Sequence, residues 1–394
     1  MNVYELDQAY VLNTYKRLPL VIKKAKGSFL IDENNHKYLD MYAGIAVSSL
    51  GHQHPAIQKA IKTQMKKHLH LSNYFATHST SALAKMLVEK SFASKVFFTN
   101  SGTEAIEASI KLVRKWGKSI HNDKIELIAL DQSFHGRTIG GLSLTGQPKY
   151  QEAFKPLLPG IKHVKRNDIT AIKSAINEHT CAIYLEMIQG ESGVEPLSQD
   201  FVDALIELRK KHQFLIVVDE IQTGLLRTGK LFAYEHYGLV PDILTLAKSL
   251  GGGIPLGAML VSKPLENVFV PGDHGSTFGG NPLATAMGLS TLEILSDPKM
   301  IASVTTKSNF LLGALLKLKE TYPFIHEVRG KGLMIGIDVG KHAKTIQDEA
   351  LKRHVLLNVT NVSVIRLLPP LTISKAEIEM FLRVFEAILK TLSE

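Results

Sequence analysis

From residue 96 to residue 262 the chain alternates short, unbroken apolar runs with longer stretches whose apolar residues recur every three or four positions. The runs are "VFFT" (96–99), "IELIAL" (125–130), "CAIYLEM" (181–187), "FLIVVD" (214–219), "DILTLA" (242–247) and "GAMLVS" (257–262). Rich in Leu and β-branched residues, they predict strands buried on both faces. Between them, Ile106, Ile110 and Val113 mark one face of a helix after Thr103. Phe201, Leu205 and Leu208 do the same after Ser198. Strand–helix alternation of this kind implies an α/β fold built on a largely parallel sheet.

The chain ends have a different pattern. Strand-like runs such as "LMIGIDV" and "VIRLLPPL" fall within residues 328–371. A terminal helix then opens on a capping box, Ser374 with Glu377, and carries Ile378, Phe381, Leu382, Phe385 and Leu389 as its apolar stripe. No linker or internal repeat divides the chain. The expected division is a large domain over residues 51–285 and a small α/β domain assembled from 1–50 and 286–394.

Composition narrows the function classes. The 394 residues are 45% hydrophobic and 21% charged, and no apolar run approaches the length of a membrane span. Acids at Glu5 and Asp7 and the lack of an apolar core near the start argue against a secretory signal. The lone Cys181 cannot form an internal disulfide and lies in an apolar run, which fits an inert core thiol in a reducing cytoplasm. The net charge of +9 invites a nucleic-acid reading, but the lysines are dispersed and no basic–aromatic tract occurs. The charge instead suits solubility and the attraction of small anions, with no nucleic-acid or membrane partner expected.

In an open parallel sheet, ligands gather beyond the carboxyl ends of the strands. Each run here ends in reactive residues. "VFFTNSGTEAIEAS" would present Ser101, Gly102 and Thr103 at a helix N-terminus, a setting for a phosphate or for simple capping. "IELIALDQSFHGRT" ends in Phe134, His135 and Arg137, which could stack on a planar ligand and grip a carboxylate. "FLIVVDEIQTG" ends in Asp219, Glu220 and Gln222. Asp219 emerges from an apolar run and needs a partner, whereas Asp219 and Glu220 point to opposite faces and cannot easily share a metal ion. "DILTLAKSLGGGIPLG" places Lys248 directly behind a strand and ahead of three glycines, the setting of a nucleophilic amine. A phosphate-loop lysine follows its glycines, so that reading fails. A phosphate cradle, an aromatic plate, a buried carboxylate and an amine together match the needs of pyridoxal 5'-phosphate.

With those residues in view, the chain resembles the class III aminotransferases of the pyridoxal-phosphate fold-type I group over nearly its whole length. The motifs are "GIAVSSLGHQHP", "NSGTEA", "SFHGRT", "EMIQGESGV", "DEIQTGLLRTG", "LAKSLGGGIPLGA" and "HGSTFGGNPLA". Among class III members, "GIAVSSLGH" and "FHGRT" most resemble the acetylornithine aminotransferases. One departure is Met187 after Glu186, where the family usually has proline.

The resemblance implies roles. Lys248 would bond the cofactor and shuttle a proton, and Asp219 would hold the pyridinium proton. Phe134 and Ile221 would face the two sides of the ring, and Gln222 its hydroxyl. Ser101, Gly102 and Thr103 would bind the phosphate. Thr277 would complete that site from the neighbouring subunit of a homodimer, with Ser276 near the substrate. Arg137 would take the substrate α-carboxylate. Glu191 would neutralise Arg366 in one half-reaction and release it in the other. The implied reaction moves the δ-amino group of N2-acetyl-L-ornithine to 2-oxoglutarate, in arginine biosynthesis. Ornithine, succinylornithine, succinyldiaminopimelate and 4-aminobutyrate remain alternative donors on the same scaffold. A non-catalytic cofactor-binding regulator would be expected to carry a DNA-binding module, and there is no spare length for one before residue 13.

Overall fold

The computed structural model describes residues 1–394, and its centre is a seven-stranded sheet. In spatial order the strands are Lys95–Thr99, Gly257–Val261, Ile243–Leu246, Leu215–Asp219, Thr180–Leu185, Glu126–Leu130 and Ile161–Val164. The strands Thr180–Leu185, Leu215–Asp219 and Ile243–Leu246 are buried at every position, which is why their sequences run apolar without alternation. Fully burying each Leu, Ile or Val contributes roughly 1.5–3 kcal/mol.

Gly257–Val261 departs from the parallel pattern, lying antiparallel to both of its neighbours. The connection explains this. Only residues 247–256 separate it from Ile243–Leu246, too few for the crossover that a parallel pair requires. The chain reverses through a short 3-10 turn, Lys248–Gly251, and Gly252 at φ 60°. Lys248 itself sits at φ 44°, a left-handed conformation uncommon for a residue with a side chain.

The helices cover the sheet as their periodicities demand. Gly102–Ile120 opens on a capping box, with the Ser101 side chain accepting from the Glu104 N–H, and buries Ile106, Ile110 and Val113. Gln199–His212 is capped by Ser198, buries Phe201, Val202 and Leu205, and ends at Gln213 in the left-handed conformation. Both stripes match the sequence pattern, with each cap one residue outside the first helical position.

The two chain ends interleave. Ile22–Lys26, Phe29–Asp32 and Lys37–Asp40 form a sheet that Val355–Leu356 joins in parallel, pairing Leu39 with Val355. A further sheet has the order Glu327–Lys331, Met334–Asp338, Val364–Leu367, Asn358–Thr360. The terminal helix Lys375–Ser393 opens on the Ser374–Glu377 capping box and buries Ile378, Phe381, Phe385 and Leu389. Apolar side chains from the central sheet and from these end segments, Leu39 and Phe385 among them, belong to one continuous core cluster. No helix is long and apolar enough to cross a membrane.

Candidate active site

The carboxyl ends of the parallel strands open on a cavity of about 540 Å³. Ser101, Gly102, Thr103, Phe134, Arg137, Glu191, Asp219, Ile221, Gln222 and Lys248 all line it. Residues as far apart in sequence as Ser101 and Lys248 meet there because five strand ends share one edge of the sheet. Gly253–Leu256, which precede the antiparallel strand, reach the same edge because Gly257 pairs with Thr99.

Lys248 is partly buried and lines the cavity. Burial disfavours the charged ammonium and Arg366 adds repulsion, against the opposing pull of Glu191, Asp219 and Glu186. The net effect pushes the amine down to about 8. A free amine is the nucleophilic form, and the lowered basicity leaves more of it free near neutral pH.

Asp219, 4% exposed, accepts from His135 Nδ1 at 2.8 Å and from the Ile221 N–H at 3.0 Å. A carboxylate only accepts, so His135 carries its proton on Nδ1. Burial would lower the basicity of His135, yet Asp219 and then Glu186 more than reverse it, and the imidazole is shifted upward. His135 Nε2 is buried without a partner. Glu186 accepts from the Phe134 N–H at 2.9 Å and is pushed up to about 7, mainly by burial and then by the nearby Asp219. Glu220, next to Asp219, faces the other way and accepts from the N–H groups of Ala233 and Tyr234.

Arg366 is 1% exposed, and its Nη1 donates to Glu191 Oε1 at 2.6 Å. Burial raises the Glu191 carboxyl, but Arg366, Lys248 and Gln222 outweigh it and hold Glu191 ionised well into the acid range. The Gln222 amide is engaged in the same pair. Its Nε2 donates to Glu191 Oε1 at 3.1 Å, and its Oε1 accepts from Arg366 Nη1 at 3.1 Å.

Arg137 stands at the exposed rim, its guanidinium 3.9 Å from the centre of the Tyr150 ring and 5.4 Å from that of Phe134. The aromatic contact holds the cation without neutralising it, leaving its donors open to an anion. Ser276 and Thr277 are not brought to this cavity. They line a second one of about 780 Å³ with His70, Asn73 and Tyr74, and Thr277 is exposed.

Three further residues gain importance from the fold. The motifs containing His135 and Glu186 were legible, but not their convergence on Asp219. Asn358, which accepts from Arg366, has no motif that marks it.

The donor set fits pyridoxal phosphate. The helix Gly102–Ile120 starts at the cavity with its first N–H groups lacking intrahelical acceptors, a ready anion site. A Cβ built on Gly102 would lie 2.6 Å from Ile221 Cδ1, so only glycine lets this turn approach so closely. Asp219 is a buried acceptor suited to a protonated ring nitrogen, and Lys248 supplies the amine.

Known proteins agree in kind. The family model "Aminotransferase class-III" matches residues 10–389. The chain is similar to the acetylornithine aminotransferase of Clostridium acetobutylicum, 45% identical, with 98% of this chain and 100% of that protein covered. It is 44% identical to the acetylornithine/succinyldiaminopimelate aminotransferase of Buchnera aphidicola, over 97% of this chain and 95% of that one. Among solved structures, the ornithine aminotransferase of Toxoplasma gondii superposes with a TM-score of 0.95 at 32% identity, covering 99% of this chain and 94% of that one.

Proposed function

We propose, from the premise that the chain belongs to the class III aminotransferases, that it transfers the δ-amino group of N2-acetyl-L-ornithine to 2-oxoglutarate. The products are N-acetyl-L-glutamate 5-semialdehyde and L-glutamate, a reaction of arginine biosynthesis. Pyridoxal phosphate, when bound, supplies an aldehyde that exchanges with amines and a ring that draws electrons from the attached carbon.

In this reading Lys248 would hold the cofactor through Nζ and would move a proton to and from the reacting carbon. Its lowered basicity keeps it competent for both transfers. Asp219, oriented by His135, holds the proton of the ring nitrogen. Gly102 and Thr103 bind the phosphate through backbone N–H groups, with Ser101 opening the helix. Phe134 and Ile221 would flank the ring, Gln222 would serve its hydroxyl, and Arg137 would bind the substrate α-carboxylate at the rim.

The observation that carries the reading is that Glu191, which lines the same cavity as Lys248, pairs with Arg366, a guanidinium buried behind it and not itself on the cavity wall. An enzyme that alternates between a donor with one free carboxylate and a dicarboxylic acceptor needs a cation that is covered in one half-reaction and exposed in the other. Glu191 can cover Arg366 and withdraw.

We further place the enzyme in the cytoplasm as a homodimer, in which Thr277 completes the partner's phosphate site and Ser276 lies near its substrate. Support comes from the exposed side chains near Thr277, Tyr74 at 95%, Phe75 at 66% and Phe278 at 58%, which offer apolar surface to a second copy.

Addition of N2-acetyl-L-ornithine to the holoenzyme is expected to remove its visible absorbance, and 2-oxoglutarate to restore it. Faster turnover of free L-ornithine than of its acetyl derivative would overturn the donor assignment. The likeness to the ornithine aminotransferase of Toxoplasma gondii makes that comparison the first to run.

A further inference from the structure

Arg366 is buried, yet its only anionic partner is Glu191, which touches a single nitrogen. The other side of the guanidinium, Nε and Nη2, is the fork that grips a carboxylate in the strongest ion pairs. Here that fork is taken by an amide. Asn358 Oδ1 accepts from Nε at 3.0 Å and from Nη2 at 2.7 Å. A guanidinium only donates, so the amide must turn its oxygen inward.

The placement follows from strand register. Asn358 lies directly opposite Arg366 in the antiparallel pair formed by Asn358–Thr360 and Val364–Leu367, so both side chains leave the same face. The same hairpin fixes the backbone of Glu191, since the Thr360 hydroxyl donates to the Glu191 carbonyl at 2.5 Å. The main chains of both ion-pair members are thus held, and only the Glu191 side chain is left to move. Arg366 Nη1 also donates to the Gly190 carbonyl at 3.0 Å and to Gln222 Oε1 at 3.1 Å. When Glu191 withdraws, every nitrogen of the guanidinium keeps a neutral acceptor, and no buried donor is stranded.

We propose that Asn358 is a positioning and specificity-determining residue: its uncharged amide anchors Arg366 without neutralising it, which keeps the guanidinium free to exchange Glu191 for the second carboxylate of a dicarboxylic acceptor. The proposal rests on the Glu191–Arg366 reading above. A carboxylate at position 358 would grip the fork permanently and leave the incoming dicarboxylate without an uncompensated cation. The class of ligand selected is therefore a dicarboxylate, against monocarboxylic analogues of similar reactivity.

The substitution Asn358→Asp adds a charge with almost no change of shape. Single-turnover half-reactions on the holoenzyme, with 2-oxoglutarate and with pyruvate as acceptors, isolate its effect. For Asn358→Asp, kcat/KM for 2-oxoglutarate is expected to fall by about 10- to 100-fold through KM, the scale of one charged hydrogen-bonded contact. Pyruvate and the amino-donor half-reaction should change by less than about twofold, and the latter also reports correct folding. Calorimetry should show the same loss for glutarate binding but not for butyrate. Asn358→Ser, neutral but too short to reach the fork, should lower the 2-oxoglutarate to pyruvate ratio clearly less than Asn358→Asp does. An unchanged ratio in Asn358→Asp, or an equal fall in Asn358→Ser, overturns the proposal. Arg366→Met separates the two levels. If it collapses the ratio while Asn358→Asp does not, only the role of Asn358 fails; if Arg366→Met leaves the ratio intact, the Glu191–Arg366 reading fails with it.

Discussion

The reactivity of Lys248 can be tested by titration before any substrate is added. Its amine is pushed down to about 8, chiefly by burial, with Arg366 acting in the same direction and Glu191 as the leading opponent. At pH 7 about one-tenth of the amine is then free, against about 0.03% for an ordinary lysine near 10.5, an advantage of about 300-fold in reactive form. Apoprotein mixed with pyridoxal phosphate in a stopped-flow instrument, with the growth of visible absorbance followed from pH 6 to pH 10, reads this directly. The rate should climb about tenfold per pH unit below 8 and level off above it. Because Glu191 favours the charged ammonium, Glu191→Gln should move the plateau to lower pH. Arg366→Met, which removes a repelling cation, should move it higher. A rate still climbing at pH 10 would refute the argument that burial tunes this lysine, and an undiminished signal in Lys248→Ala would remove the lysine from the chemistry altogether.

Other consequences are open to simple measurement. Asp219→Asn should weaken cofactor binding roughly 10- to 100-fold, the cost of losing a charge-assisted hydrogen bond in a buried site, as read by equilibrium dialysis. Gly102→Ala would drive a Cβ to 2.6 Å from Ile221 Cδ1 and should lower cofactor retention with little effect on the folded fraction. Gly117→Ala, far from the cavity, would bring its Cβ to 2.0 Å from the Lys124 carbonyl oxygen and 2.7 Å from Cys181 Sγ. It should cost about 2 kcal/mol or more by denaturant titration while leaving kcat per folded molecule unchanged. Finally, Lys248→Ala chains mixed with Thr277→Val chains should recover activity that neither parent has, since one hybrid site would combine an intact lysine with an intact partner threonine; no recovery would count against the shared site.

Much of this protein follows from local pattern. The unbroken apolar runs specified buried strands because a strand covered on both faces has no solvent side to mark, and every residue of Leu215–Asp219 is buried. The caps at Ser101, Ser198 and Ser374 marked helix starts because an orphan N–H finds its acceptor within three residues. Lys248 and Asp219 were identifiable because a charge at the end of an apolar run must be satisfied by something. Other features depend on residues distant in sequence. The direction of Gly257–Val261 was set by the length of the connection before it, not by its composition. His135 and Glu186 acquired their shifted protonation only where separate strand ends converge on Asp219. Asn358 is an ordinary polar residue in sequence, and only strand register sets its amide across the fork of Arg366. Sequence fixes what each segment can bury and cap, because those forces act over a few residues. Electrostatic partnership acts through space, and the folded sheet alone decides which charges meet.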